Sequence, residues 1–200
     1  MNLFLWGALP YIAFTFLIVG TLVRFFYFER NWTTKSSEFL EKKQLRIANP
    51  LFHFGLLCVI GGHVVGVLVP KTWTAAMGIN DHMYHEGALY MGAVAGIIFI
   101  VGFLLLMKRR FTVPAMKVNT SGLDKWLYLF LTLAIFSGMA GTLLNASGFF
   151  DYRVSIGPWF RSLLSFMPDP SLMEGVPFMF KFHMLAWMVV AIIFPFSRLV

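Results

Sequence analysis

The stretch LFHFGLLCVIGGHVVGVLV, Leu51 to Val69, carries two histidines, His53 and His63, in an otherwise uncharged apolar run. A run of about 20 apolar residues is what a helix needs to cross a bilayer. Ionisable side chains at that depth are expensive and are functional candidates by default. At 1.5 Å rise per residue the two rings differ by about 15 Å in height. At 100° per residue they differ by about 80° in azimuth. They share one broad side of the helix at two levels, too far apart to hold one metal together.

The rest of the chain has the same character. Only 12% of the 200 residues are charged and 58% are hydrophobic, against about 25% charged in a soluble domain. This is the composition of an integral membrane protein. Five segments are long enough to span, near 4–28, 50–69, 87–107, 124–146 and 177–200. The expected fold is therefore all-α: a polytopic bundle of five transmembrane helices forming a single domain over residues 1–200. No repeat of solenoid length is visible. The net charge of +7 does not point to nucleic acid, because no basic recognition module is present.

The basic residues sit in short loops instead. Arg30, Lys35, Lys42, Lys43 and Arg46 lie between spans one and two, and Lys108, Arg109, Arg110 and Lys117 between spans three and four. By the positive-inside rule these loops are cytoplasmic, which puts the N-terminus outside and the C-terminus in the cytoplasm. The first basic residue, Arg24, follows the first apolar run, so an uncleaved span is expected rather than a signal peptide. Thr33–Arg46 reads as a short amphipathic helix. Gly157–Pro170, GPWFRSLLSFMPDP, reads either as an interfacial segment or as a mobile loop.

Cys58 is the only cysteine, which excludes an internal disulfide, a cysteine-rich zinc site and an iron–sulfur cluster. There is no C-x-x-C-H for covalent haem attachment. The chemistry must rest on the five histidines, His53, His63, His82, His85 and His183. His183 begins span five, at the level of His63. Two imidazoles on facing helices, with Gly61, Gly62 and Gly66 on one side and Gly138 and Gly141 on span four, suit bis-histidine ligation of a b-type haem. The competing reading is an interhelical hydrogen bond with Gly62-x-x-x-Gly66 serving only helix packing. Two histidines on one helix and a third matched in depth favour ligation. His82 and His85, in GINDHMYHEGA beside Asp81 and Glu86, are either solvated loop residues or a proton-accepting cluster at the outer end of span three.

LFHFGLLCVIGGHVVGVLVP, the LLLMKRR that closes span three, and FKFHMLAWMVVAIIFPFSRLV resemble the membrane cytochrome b, or gamma, subunit of respiratory nitrate reductase. The resemblance runs essentially from end to end. WTTKSSEFLEKK and GFFDYRVSIGPWFR are similar to the version in Gram-positive bacteria. The resemblance implies two b-type haems stacked across the bacterial cytoplasmic membrane. His63 and His183 are then the axial pair of the outer haem, the pair that depth alone selects, and His53 is an axial ligand of the inner one. The second inner ligand in the family follows Ser-Arg-Leu and one aliphatic residue, which is one position past Val200. That position is five whole turns from His183 and about 27 Å lower, so the expectation is a chain truncated at its C-terminus.

The resemblance also implies a role. Quinol is oxidised near the outer face, and electrons pass through the two haems to a cytoplasmic iron–sulfur (beta) subunit and on to a molybdenum (alpha) subunit that reduces nitrate. Protons leave on the outside. Arg109, Arg110 and Arg198 are candidate contacts for inner-haem propionates, the alternative being ordinary positive-inside residues. Gly62, His63, Tyr84 and His85 are candidates for the quinone site. The family's basic residue near the start of span three has no lysine counterpart here, where His82 or His85 stands in. Menaquinol is the expected quinol. A di-haem subunit of another quinone-linked reductase, or a small transporter with a histidine proton relay, are the alternatives.

Overall fold

The computed structural model of the chain describes residues 1–27, 42–118 and 120–197. Every element among them is helical. Five helices are long and apolar enough to cross a membrane: α1 (Phe4–Tyr27), α2 (Lys43–Leu68), α4 (Asp81–Thr112), α6 (Gly122–Leu144) and α8 (Phe178–Phe196). Three short helices connect them: α3 (Lys71–Ala76), α5 (Pro114–Val118) and α7 (Ile156–Leu164). In each long helix only 11–33% of the most apolar 18-residue window is buried. The remaining apolar surface suits lipid and would be untenable in water.

The five expected spans are all present, but their ends differ. α2 begins seven residues before Pro50 and α4 runs through both ends of its apolar window, because a helix does not stop where hydrocarbon does. Asn80 caps α4 by accepting a hydrogen bond from the Met83 N–H at 2.9 Å, so His82 and His85 stand in the first turns of a helix, not in a loop. Lys43–Arg46 are the first turn of α2; residues 33–41 of the expected amphipathic helix lie outside the described residues. The segment read as either interfacial or mobile folds as α7, with Trp159 and Leu163 buried and the Trp159 indole N–H donating to the Trp6 carbonyl at 2.8 Å.

α2 packs on α4 and α6 on α8; the two pairs meet through α4 and α6, and α1 lies parallel to α8. The α2–α4 contact is a backbone approach. A Cβ on Gly55 would lie 2.5 Å from the Phe99 nitrogen, and one on Gly102 would lie 2.3 Å from that of Phe52. Small residues at such crossings let helices pack by van der Waals contact where no hydrophobic drive exists. Phe99, Phe103 and Ile135 fill the space beside it. A second cluster, with Trp6, Trp159, Met173 and Met188 among its members, joins α1, α7 and α8 at the end of the bundle that holds His63 and His183. At the opposite end Arg24 donates to the Pro195 carbonyl at 2.7 Å and also to that of Ser197, a cation closing the C-terminus of α8.

Candidate functional site

His63 on α2 and His183 on α8 face each other, ring centres 5.9 Å apart and planes 27° apart. A metal–imidazole bond is about 2 Å long. Two such bonds in line, with the ring radii added, put imidazole centres about 6 Å apart. Each ring is also set in one tautomer. His63 Nδ1 lies 2.7 Å from the Val59 carbonyl, and His183 Nδ1 lies 2.8 Å from that of Ala134. A carbonyl only accepts, so both Nδ1 atoms carry the proton and both Nε2 atoms keep a lone pair. His183 Nε2 is buried with no hydrogen-bond partner. An orphaned buried acceptor beside a second imidazole, both rings oriented by backbone carbonyls, is the donor set a haem iron takes.

The glycines divide their roles differently from the expectation. A Cβ on Gly61 or Gly62 would meet nothing within 4 Å, so open space flanks His63. Gly138 instead admits the histidine itself: a Cβ there would lie 2.8 Å from His183 Cε1. Gly141 faces Phe180 and Met179 at ordinary contact distance. Gly66 receives Tyr152 Cε2, 3.0 Å from where its Cβ would be, and the Tyr84 hydroxyl at 3.5 Å.

His53 has the same local arrangement ten residues away. Its Nδ1 donates to the Asn49 carbonyl at 2.9 Å, and its ring stands edge-on to Phe52 with centres 5.3 Å apart. The other four histidines all lie toward the opposite end of the bundle, so no second imidazole accompanies it among the described residues.

The four residues expected around a quinone are brought together in part. Tyr84 reaches Gly66, one turn beyond Gly62, whereas His85 bonds the Ala146 carbonyl at 3.1 Å and rests on Gly148 in the α6–α7 connection. His82 is 79% exposed, 3.5 Å from Glu86; it belongs to the surface and makes no cluster with His85. What holds Tyr84 is a group of charges that sequence reasoning missed. The Arg153 guanidinium lies 3.8 Å above the Tyr84 ring. It pairs with Asp81 at 3.1 Å and Asp151 at 3.2 Å, and Lys71 pairs with the same two carboxylates at 2.7 and 3.1 Å. Hydrogen bonds that the Lys71 ammonium donates to Asp81 and Asp151 push it up from its ordinary value. Burial works against the Asp151 carboxylate, but bonds from Arg153 and Lys71 outweigh it and hold that carboxyl below the usual range. The Asp151-Tyr152-Arg153 triplet, charged and aromatic beside an apolar span, was the available signal.

At the other end Arg109 is buried. Arg110 approaches Asp124 at 3.9 Å and lies 5.6 Å over the Tyr128 ring, while its Nε is buried without a partner. Arg198 lies outside the described residues. Asp124 is fully buried in a reciprocal cap with Ser121, the two exchanging backbone N–H bonds at 2.8 and 3.1 Å.

Residues 2–200 match the family model described as nitrate reductase gamma subunit. The chain is 47% identical to the nitrate reductase gamma chain of Bacillus subtilis, over 98% of this chain and 88% of that one. It is 29% identical to the respiratory nitrate reductase 1 gamma chain of Escherichia coli, over all of this chain and 89% of that one. A nitrate reductase-like protein, NarX, of Mycobacterium tuberculosis is 38% identical over 98% of this chain, which spans 30% of that longer protein. With five apolar helices of spanning length and a facing histidine pair, the chain belongs to the nitrate reductase gamma subunit family.

Proposed function

We propose that this chain anchors a respiratory nitrate reductase in the bacterial cytoplasmic membrane as its b-type cytochrome. In this reading its N-terminus is outside, its C-terminus is cytoplasmic, and quinol is oxidised near the outer face. The observation that carries the reading is the His63–His183 pair, 5.9 Å between ring centres, with His183 Nε2 buried and unpartnered. These two imidazoles hold an outer haem, and His53 holds an inner one from this chain's side. When bound, the haems supply one-electron centres at two depths.

The remaining roles belong to the protein. The Val59 and Ala134 carbonyls keep Nδ1 protonated and Nε2 basic. Lipid-facing apolar helices exclude water from the pair. Gly62, His63 and Tyr84 border the quinol site, with menaquinol as the substrate, and His85 lies at its rim. Oxidation there releases two electrons and two protons, the protons to the outside. Arg110, with its free Nε, and Arg109 sit at the cytoplasmic end, where they suit inner-haem propionates together with Arg198. The basic loops of that end suit docking of the iron–sulfur beta subunit, which passes electrons to the molybdenum alpha subunit where nitrate is reduced.

The test is a reduced-minus-oxidised spectrum of the purified protein. One b-type signal should vanish when His63→Ala and His183→Ala are combined. A colourless protein, or a spectrum indifferent to both substitutions, defeats the reading. Copurification of an iron–sulfur and a molybdenum subunit distinguishes nitrate reductase from another quinone-linked complex.

A further inference from the structure

We propose that the Tyr84 and Tyr152 hydroxyls, seated at Gly66 and held there by Arg153, form a polar pole that binds one quinol oxygen above His63. The inference rests on quinol oxidation near His63 and adds its hydrogen-bonding partner.

Gly66 lies four residues beyond Gly62 and three beyond His63, so it shares their face about one turn further along. Its missing side chain is what lets the two phenols in: a Cβ would lie 3.0 Å from Tyr152 Cε2, and 3.5 and 3.6 Å from the Tyr84 and Tyr152 oxygens. Both oxygens thus lie within 3.6 Å of one point, the place a Gly66 side chain would take. Each phenol has one donor and two lone pairs, so a contact between them leaves a donor and several lone pairs over. Neither hydroxyl has any other hydrogen bond among the described residues. Groups left incomplete at a half-buried position suit a ligand that both donates and accepts, as a quinol hydroxyl and a quinone carbonyl do in turn.

The pair is also fixed in place. Tyr84 comes from α4 and Tyr152 from the α6–α7 connection, and Arg153 ties the two. Its side chain is 4% exposed, it covers the Tyr84 ring at 3.8 Å, and it bridges Asp81 on α4 to Asp151 beside Tyr152. A cation over the ring face withdraws electron density from the phenol and strengthens its O–H as a donor. Lys71 closes the same carboxylates from the α2–α4 connection. Arg161 secures the end of α2, donating to the Val67 carbonyl at 2.8 Å. Tyr84 and Tyr152 therefore act on the substrate, and Arg153 is a positioning residue.

The experiment uses the complete complex in membrane vesicles, with menadiol, a soluble naphthoquinol, as electron donor. Tyr152→Phe and Tyr84→Phe each remove one hydroxyl and keep the ring. Each is expected to raise the KM for menadiol about five- to tenfold, the worth of one neutral hydrogen bond, with little change in kcat. Haem content should stay at the wild-type value. The double variant should be little worse than either single, since the hydroxyls act as a unit. Arg153→Lys keeps the charge but not the flat, bridging guanidinium, and should raise KM as Tyr84→Phe does. Wild-type KM in both Phe variants overturns the inference. So does a KM rise that appears only together with lost haem, since that is a folding effect. Wild-type protein whose haem menadiol does not reduce overturns the quinol reading and this inference with it.

Discussion

Substituting Gly138 with alanine tests the histidine pair without touching either histidine. The added Cβ would lie 2.8 Å from His183 Cε1 and 3.1 Å from Nδ1, where ordinary contact begins at 3.4 Å. The imidazole must retreat by roughly half an ångström or more. Its Nδ1–H···O bond to Ala134 is already 2.8 Å long and lies on the α6 side, so the retreat stretches that bond and shifts the ring relative to His63. Overpacking costs about 1–3 kcal/mol. Disturbing a group that orients a metal ligand typically costs about 10–100-fold in metal affinity. Gly138→Ala should therefore lose most of the His63–His183 haem when the cofactor is limiting, read as haem per protein and as the reduced-minus-oxidised spectrum. Gly141→Ala, whose Cβ meets nothing nearer than 3.8 Å, is the matched control and should keep it. If Gly138→Ala binds haem as wild type does, with the same midpoint potential, then His183 is not held as described.

Three further outcomes follow from the packing and the charges. Gly102→Ala drives a methyl to 2.3 Å from the Phe52 nitrogen; backbone cannot step aside, so a loss of about 3 kcal/mol or more is expected, measured as thermal retention of a monodisperse peak in mild detergent, with Gly122→Ala, in open space, unaffected. Asp124→Ala removes the cap of α6 and takes the carboxylate from half-buried Arg110, at a cost of about 1–2 kcal/mol for the cap and more with the pair, and Asp124→Asn should recover the cap part only. The third concerns pH. Asp151 titrates below the usual carboxylate range, so its contribution is complete above about pH 4 and is lost as pH falls through the lower folded value. Lys71 titrates above its usual value, so its contribution is complete below about pH 10.4 and is lost as pH rises through the higher folded value. The melting-temperature difference between wild type and Asp151→Asn should be flat from about pH 5 to 9; a step near pH 6–7 contradicts the pairing.

Five spans were readable from composition because a bilayer imposes one length on every crossing helix. Their ends were not, since Lys43–Arg46 and Asp81–Glu86 extend helices beyond hydrocarbon, where hydropathy stops reporting. His63 and His183 could be paired from depth alone, a one-dimensional quantity that chain order and orientation supply. Azimuth between helices is not one-dimensional. Nothing local distinguishes Gly102, which touches Phe52, from Gly61, which touches nothing. The Arg153–Asp81–Asp151–Lys71 group was missed for the same reason: its members are near neighbours in space, yet Lys71 and Asp151, for one, are 80 residues apart in the chain. His85 neighbours Tyr84 in sequence, yet on a helix it points about 100° away from it and bonds the Ala146 carbonyl.

The three membrane histidines share one device with different dependence on the fold. His53 and His63 donate Nδ1–H to the carbonyl four residues earlier, Asn49 and Val59, on their own helix. Their tautomer and direction are settled once α2 forms. His183 donates to Ala134 on another helix, and Gly138 beside it leaves the ring room. Its direction therefore depends on how α8 packs on α6. Ligation at the His63 end would thus join a ligand that local structure prepares to one that tertiary packing prepares. A haem bound there would tie α2 to the α6–α8 pair, which otherwise meets α2 mainly through α4. Removing His63 should then loosen the bundle as well as the cofactor, whereas removing His53 should leave the α6–α8 packing intact.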